Sequence, residues 1–163
     1  MAILSRPGRT AISLALLLST LSCAARKETP KHSPPLLSGI ELVAMEFKEG
    51  LPKANENLES VLGDSKEFFL GALKRNAHTM KKYSHVRFEV LGFTDDKECT
   101  DIQCRELAAR RAKLVYDWLI SNGVPASSLT PPAEHGNSMP VDDNKTVAGR
   151  ARNRRVELNI APD

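Results

Sequence analysis

The chain has 163 residues, 41% of them hydrophobic and 26% charged, which suits one domain with its own core plus additional chain. Its formal net charge is +3 and only 5% of its residues are aromatic. Without Arg6 and Arg9, which lie in the leader described next, 21 bases face 20 acids; that near-neutrality excludes a nucleic-acid or anionic-membrane surface as the organising feature.

Residues 1–25 have the layout of a secretory signal. Arg6 and Arg9 form a basic start, and the apolar run from Ala11 to Leu21 is too short to span a bilayer comfortably. Two endings fit. Thr20-Leu21-Ser22-Cys23 resembles a bacterial lipobox, with Thr20 where leucine is usual; in that case residues 1–23 are the leader with Cys23 the lipidated residue, and Ala24 after the cysteine suits sorting to the outer membrane. Cleavage after Ala24 or Ala25 by the ordinary signal peptidase competes and would leave the protein soluble in the periplasm. Residues 24–38 (AARKETPKHSPPLLS) are polar, rich in Lys and Pro and without apolar period, so they read as an extended linker reaching roughly 45 Å at about 3 Å per residue.

From residue 39 to 160 the pattern becomes that of a folded domain. A first strand is expected over Gly39–Phe47, then a polar connection over Lys48–Gly63 with a short helical turn near Asn57–Val61. Asp64 and Glu67 have capping-box spacing at the start of a helix whose buried stripe is Phe69, Leu73, Ala77 and Met80, with Lys74, Lys81, Lys82 and His78 facing water. Val86–Gly92 reads as the second strand. A second long helix runs from about Arg105 to Ser121 and ends at Asn122-Gly123, a left-handed stop signal. Ala133–Met139 holds a short third strand with His135 structural or exposed, Asn144–Arg152 a short helix, and Arg154–Ile160 the final strand. Most of the arginines in Arg150–Arg155 are expected to be solvated, with one of them able to close a site near the second strand.

Two cysteines remain in the domain. Cys99 and Cys104 are five apart, a spacing that matches neither a thiol oxidoreductase nor a zinc site; in an exported protein it predicts a disulfide, Cys99 in the loop and Cys104 near the start of the helix.

The stretch from Gly92 to Trp118 organises the rest. Leu107, Arg111, Leu114, Val115 and Trp118 share one helical stripe, so a guanidinium sits within an apolar face and needs an anionic partner. Asp95, at the end of the second strand, is the candidate for that partner. The pair would complement a zwitterion, the arginine taking a carboxylate as a bidentate fork. No clustered histidine–carboxylate set and no activated serine or cysteine motif is present, so a hydrolase is not expected, and no cofactor or metal is implied.

Residues Gly92-Phe-Thr-Asp95, Leu107-Ala-Ala-Arg-Arg-Ala112, Gly123-Val124, Pro140, Asn144-Lys-Thr146, Gly149-Arg150 and Asn153-Arg-Arg-Val-Glu157 occur in an order that resembles the OmpA-like C-terminal domain, the peptidoglycan-associating module of bacterial envelopes. The resemblance implies an α/β fold, a βαβαβ-type α+β sandwich with a mixed sheet covered by helices. It implies non-covalent binding of peptidoglycan at the diaminopimelate of the stem peptide, with Asp95 and Arg111 holding the ligand's ammonium and carboxylate and Thr94 and Arg154 beside them. Peptidoglycan is the expected partner, together with the outer membrane through a lipid anchor; nucleic acid is not. An envelope scaffold that uses the fold to bind other proteins is the competing function. The sequence departs from the family pattern at Phe93, where histidine is frequent, and at Cys104, where a ligand-contacting asparagine is usual.

Overall fold

The structure is a computed structural model and describes residues 40–162; the leader, Cys23 and the linker lie outside the described residues. Four strands, β1 (Met45–Glu46), β2 (Phe88–Phe93), β3 (Ala133–Gly136) and β4 (Arg155–Ile160), form one sheet in the order β1-β4-β2-β3. β4 runs antiparallel to both β1 and β2, whereas β2 and β3 are parallel. Parallel neighbours need a crossover, and the helix α3 (Asp101–Ser121) supplies it. Three further helices, α1 (Leu58–Val61), α2 (Lys66–Lys82) and α4 (Val147–Asn153), complete the mixed α/β architecture.

The core follows directly from the periodicities. Phe88 and Val90 of β2 and Val156 and Leu158 of β4 alternate with less buried neighbours and meet Phe69, Leu73, Ala77 and Met80 of α2 and Ala112, Val115 and Leu119 of α3. Gly92 lies on the same face of β2 as Phe88 and Val90. There α3 comes down on the strand so closely that a Cβ would stand 2.0 Å from the Ala108 carbonyl oxygen. A side chain at this position is therefore incompatible with the packing that brings α3 against the sheet.

α3 stops where its sequence says it should. Gly123 takes φ +84°, its N–H donates to the Ile120 carbonyl, and Val124 N–H donates to Leu119, the two bonds of a Schellman cap. Several boundaries differ from expectation. The first strand is two residues long, not nine, because the Val43 N–H and carbonyl are taken by the Asn76 side chain of α2 (3.2 and 2.8 Å) instead of a sheet neighbour. Asp64 does not cap α2; the helix begins one residue later from Ser65, which makes no side-chain cap bond. α3 starts four residues earlier than Arg105, β2 runs two residues later at its start and one later at its end, and β3 stops at Gly136. α4 begins at Val147 because Thr146 is its N-cap, the hydroxyl accepting from Gly149 N–H at 2.9 Å.

Candidate functional site

Elements β2 and α3 place Thr94, Asp95 and Arg111 together at the C-terminal end of β2, and the α4–β4 junction adds Arg154. All of Thr94, Asp95 and Arg111 are buried, Arg111 and Asp95 to 0% exposure. A buried guanidinium requires both counter-charge and enough acceptors for its five N–H groups. Arg111 has them. Its Nε donates to the Leu51 carbonyl (2.8 Å), Nη1 to the Phe93 carbonyl (2.9 Å) and Glu98 Oε1 (2.6 Å), and Nη2 to the Lys48 carbonyl (3.1 Å) and Glu98 Oε2 (2.7 Å). Its guanidinium also stands 5.4 Å from the centre of the Phe47 ring.

The pairing expected from sequence is thus corrected. Arg111 takes Glu98, not Asp95, as its anion, in a bidentate fork with the Glu98 side chain fully buried. Asp95 faces elsewhere for two reasons. Its Oδ1 accepts the N–H groups of Lys97 and Glu98 (2.7 and 2.8 Å), an Asx-type turn that folds its own loop, and its Oδ2 accepts Arg154 Nη1 at 2.8 Å. Burial pushes the Asp95 carboxyl up, but the Arg154 bond, the two loop amides and the Arg154 charge together outweigh it and hold its pKa below the ordinary carboxylate value. The two ion pairs are linked through the loop, since Asp95 N–H donates to Glu98 Oε1 at 3.1 Å and Gly50 N–H to Glu98 Oε2 at 2.8 Å.

Arg154 is held less completely. Its Nε donates to the Phe47 carbonyl at 3.1 Å and Nη1 to Asp95; its other N–H groups make no hydrogen bond among the described residues. The side chain is 11% exposed and lines a cleft of about 350 Å³ bounded by Glu46–Glu49, Gly63–Ser65 and Ala151. Thr94 Oγ1, next to Asp95, is the one buried side-chain oxygen or nitrogen among the described residues without a hydrogen-bond partner. An orphaned buried hydroxyl costs about 1–3 kcal/mol and marks a place where a polar ligand group would be welcome.

The Asn153-Arg154-Arg155 run divides three tasks. Asn153 pins the preceding loop with four bonds, accepting from Val141 and Asp142 N–H and donating to the Asp142 carbonyl and Asn144 Oδ1. Arg154 reaches Asp95. Arg155, expected to be solvated, is 5% exposed because it lies 3.9 Å over the Phe93 ring, whose other neighbour is the stacked ring of His135 at 5.1 Å. Phe93 thus holds β2 against β4 and β3 from the face opposite α3. Of the cluster, Arg152 is exposed.

Cys99 and Cys104 form the predicted disulfide, Cα–Cα 5.1 Å, with Cys104 in the first turn of α3 and 1% exposed. A loop this short contributes roughly 2 kcal/mol at most through chain entropy, so its local consequence matters more: it ties the residue after Glu98 to the helix that carries Arg111. Glu98 and the carbonyls of Lys48 and Leu51 were not singled out from sequence, and Asn153 was named only as the start of the Asn153–Glu157 motif, without its loop-pinning role. The signal for the first two was arithmetic, because a buried arginine needs more acceptors than one carboxylate offers. Among the described residues no group of three or more His, Cys, Asp or Glu is placed to hold a metal ion.

Comparison with known proteins places this arrangement. The chain is 36% identical over 86 residues to the probable lipoprotein YiaD of Escherichia coli K12, covering 53% of this chain and 38% of that protein. It is 36% identical over 88 residues to the peptidoglycan-binding protein ArfA of Mycobacterium tuberculosis, covering 54% and 26% respectively. The chain thus spans well under half the length of these relatives. The C-terminal domain of Helicobacter pylori MotB superposes with a TM-score of 0.59 at 26% identity, covering 76% of this chain and 87% of that domain. The sequence profile of the OmpA family matches residues 67–154, from the first turn of α2 to Arg154 itself, and the chain belongs to the OmpA family.

Proposed function

We propose that this chain binds peptidoglycan non-covalently, at the diaminopimelate of the stem peptide, and anchors the outer membrane to the cell wall without catalysing a reaction. The observation that carries the reading is the concentration of two arginines, two carboxylates and an orphaned threonine hydroxyl at one end of β2. A free amino-acid terminus is a zwitterion. It can exchange with these internal pairs while leaving every buried charge matched, which neither a neutral sugar nor a simple anion can do. Asp95 and the Thr94 hydroxyl suit an ammonium group; Arg111 and the spare donors of Arg154 suit a carboxylate. The peptidoglycan-binding relative ArfA supports the same ligand class. Affinity for one such group is modest, and the repeating wall supplies avidity.

Localisation belongs to the same proposal. A lipid on Cys23 with the linker behind it would hold the domain at the periplasmic face of the outer membrane, a reading supported by the lipoprotein relative YiaD. The mass of the mature N-terminus decides between a lipidated Cys23 and a free end.

The test of binding is sedimentation with purified sacculi stripped of protein. Retention on diaminopimelate-type wall, release by free meso-diaminopimelate, and loss on lysine-type wall, which lacks the second carboxylate of the side chain, are the expected results. Equal retention on both wall types would place recognition outside this charge cluster, and no retention on either would favour a scaffold that binds other envelope proteins.

A further inference from the structure

The fork of Arg111 that a ligand carboxylate should take is already full. All five N–H groups are bonded, and the two that point furthest along the guanidinium carry the oxygens of Glu98 at 2.6 and 2.7 Å. Glu98 is not held there by Arg111 alone. Its two oxygens also accept from Asp95 N–H and Gly50 N–H, so the carboxylate sits in a cradle of four donors with no exposure to solvent. That is the coordination a bound carboxylate ligand would receive, supplied from within the chain.

We propose that Glu98 is an intramolecular competitor for the carboxylate of the wall ligand, and that the Cys99–Cys104 disulfide sets how strongly it competes. The inference rests on the diaminopimelate reading above. Glu98 is the residue immediately before Cys99, and Cys104 stands two helical turns before Arg111 on α3. The bridge therefore closes a short covalent ring on the same helix as the arginine and keeps Glu98 at high local concentration over it. Lys97 and Asp96, by contrast, are exposed on the same loop, so the segment has room to swing Glu98 outward once its bonds are exchanged for a ligand's. The binding-competent form is then only a fraction of the folded protein, and the apparent affinity is lowered by that fraction.

The competitor leaves a sign that a merely structural ion pair does not. Removing a structural pair weakens the site; removing a competitor strengthens it. Affinity for a soluble stem tripeptide ending in diaminopimelate is measured by calorimetry for the wild type, Glu98→Gln, Glu98→Ala and the double variant Cys99→Ser/Cys104→Ser. Asp96→Asn controls for the loss of one negative charge in the loop. The expected order is a gain of tenfold or more for Glu98→Ala and a smaller gain for Glu98→Gln, whose amide oxygen still caps Arg111. The double variant should gain several-fold and Asp96→Asn not at all.

Melting temperature without and with ligand guards against loss of fold: the Glu98 variants should melt lower alone and recover more than the wild type on adding tripeptide. If a Glu98→Ala protein does not fold, Glu98→Gln and the wild type treated with reductant carry the same comparison. Unchanged or weakened binding in the Glu98 variants, with the wild type binding normally, overturns the inference and leaves the wall-binding reading standing. Binding by none of the proteins, on tripeptide or on sacculi, removes both.

Discussion

Arg111 and Arg154 stand on opposite sides of one loop and are built to opposite specifications. Arg111 is fully buried, bonded through all five donors and forked by Glu98, the residue just before the disulfide-closed ring. Arg154 keeps 11% of its side chain exposed, uses two donors, and borders an open cleft. A saturated arginine fixes structure and resists exchange; an unsaturated one is ready for a partner. The site therefore has a closed half and an open half, and the loop from Asp95 to Glu98 joins them.

The closed half should dominate stability. Arg111→Ala removes five hydrogen bonds and leaves Glu98 buried without a counter-charge, a loss of about 3–5 kcal/mol in urea unfolding. Glu98→Ala in that background should recover part of it, because the stranded charge goes too. A double-mutant cycle that found the two losses additive would show that Arg111 and Glu98 are not a coupled pair in solution.

Arg154→Ala should cost less, about 1–3 kcal/mol. It loses two hydrogen bonds and the counter-charge of Asp95, but that carboxylate keeps the amides of Lys97 and Glu98, and the lost side chain borders an open cleft through which water can enter. Its stronger effect should fall on wall binding, through the donors that are free. If Arg154→Ala destabilised the protein as much as Arg111→Ala, the division into closed and open halves would be wrong.

How much of this was legible beforehand depends on which contacts are local. Arg111 was visible because helical periodicity alone puts it on the stripe with Leu107 and Val115. The stop at Gly123 and the disulfide were visible for the same reason, each being a matter of a few consecutive residues. From the residues alone the two arginines of Asn153-Arg154-Arg155 were visible only as a cluster; the resemblance to the OmpA-like domain is what put Arg154 beside Asp95. Which one turned to Asp95 and which lay on Phe93 depends on the register Gly92↔Val156, a pairing of strands more than sixty residues apart in sequence. Glu98 was hidden most completely. On its own it is one acid in an acidic loop, and its burial arises because the Asp95 turn, the Cys99–Cys104 bridge and the Lys48–Leu51 backbone all close on the same guanidinium. The first strand was expected in the right place but too long, because Asn76, from a helix with no reason in its own pattern to reach a strand, occupies the backbone of Val43.

The smallest expected effect sharpens the comparison through pH. In the folded protein the Asp95 carboxyl is held below its ordinary pKa, against the opposing pull of burial, by Arg154 and by the amides of Lys97 and Glu98. A carboxylate with a depressed folded pKa contributes stability that is fully present above its unfolded pKa and is lost as pH falls through the folded one. The window therefore opens near pH 4 and extends downward. Asp95→Asn keeps the shape and removes the titration, so the stability gap between wild type and variant should be constant from pH 7 to about pH 5 and shrink below about pH 4. The same gap measured in an Arg154→Ala background should be narrower and should vanish at higher pH, because the main partner of the carboxylate is gone. A gap that held steady to pH 2.5 in both backgrounds would mean that Asp95 titrates alike in folded and unfolded chains, and the open half of the site would then lack the buried anion on which an incoming ammonium depends.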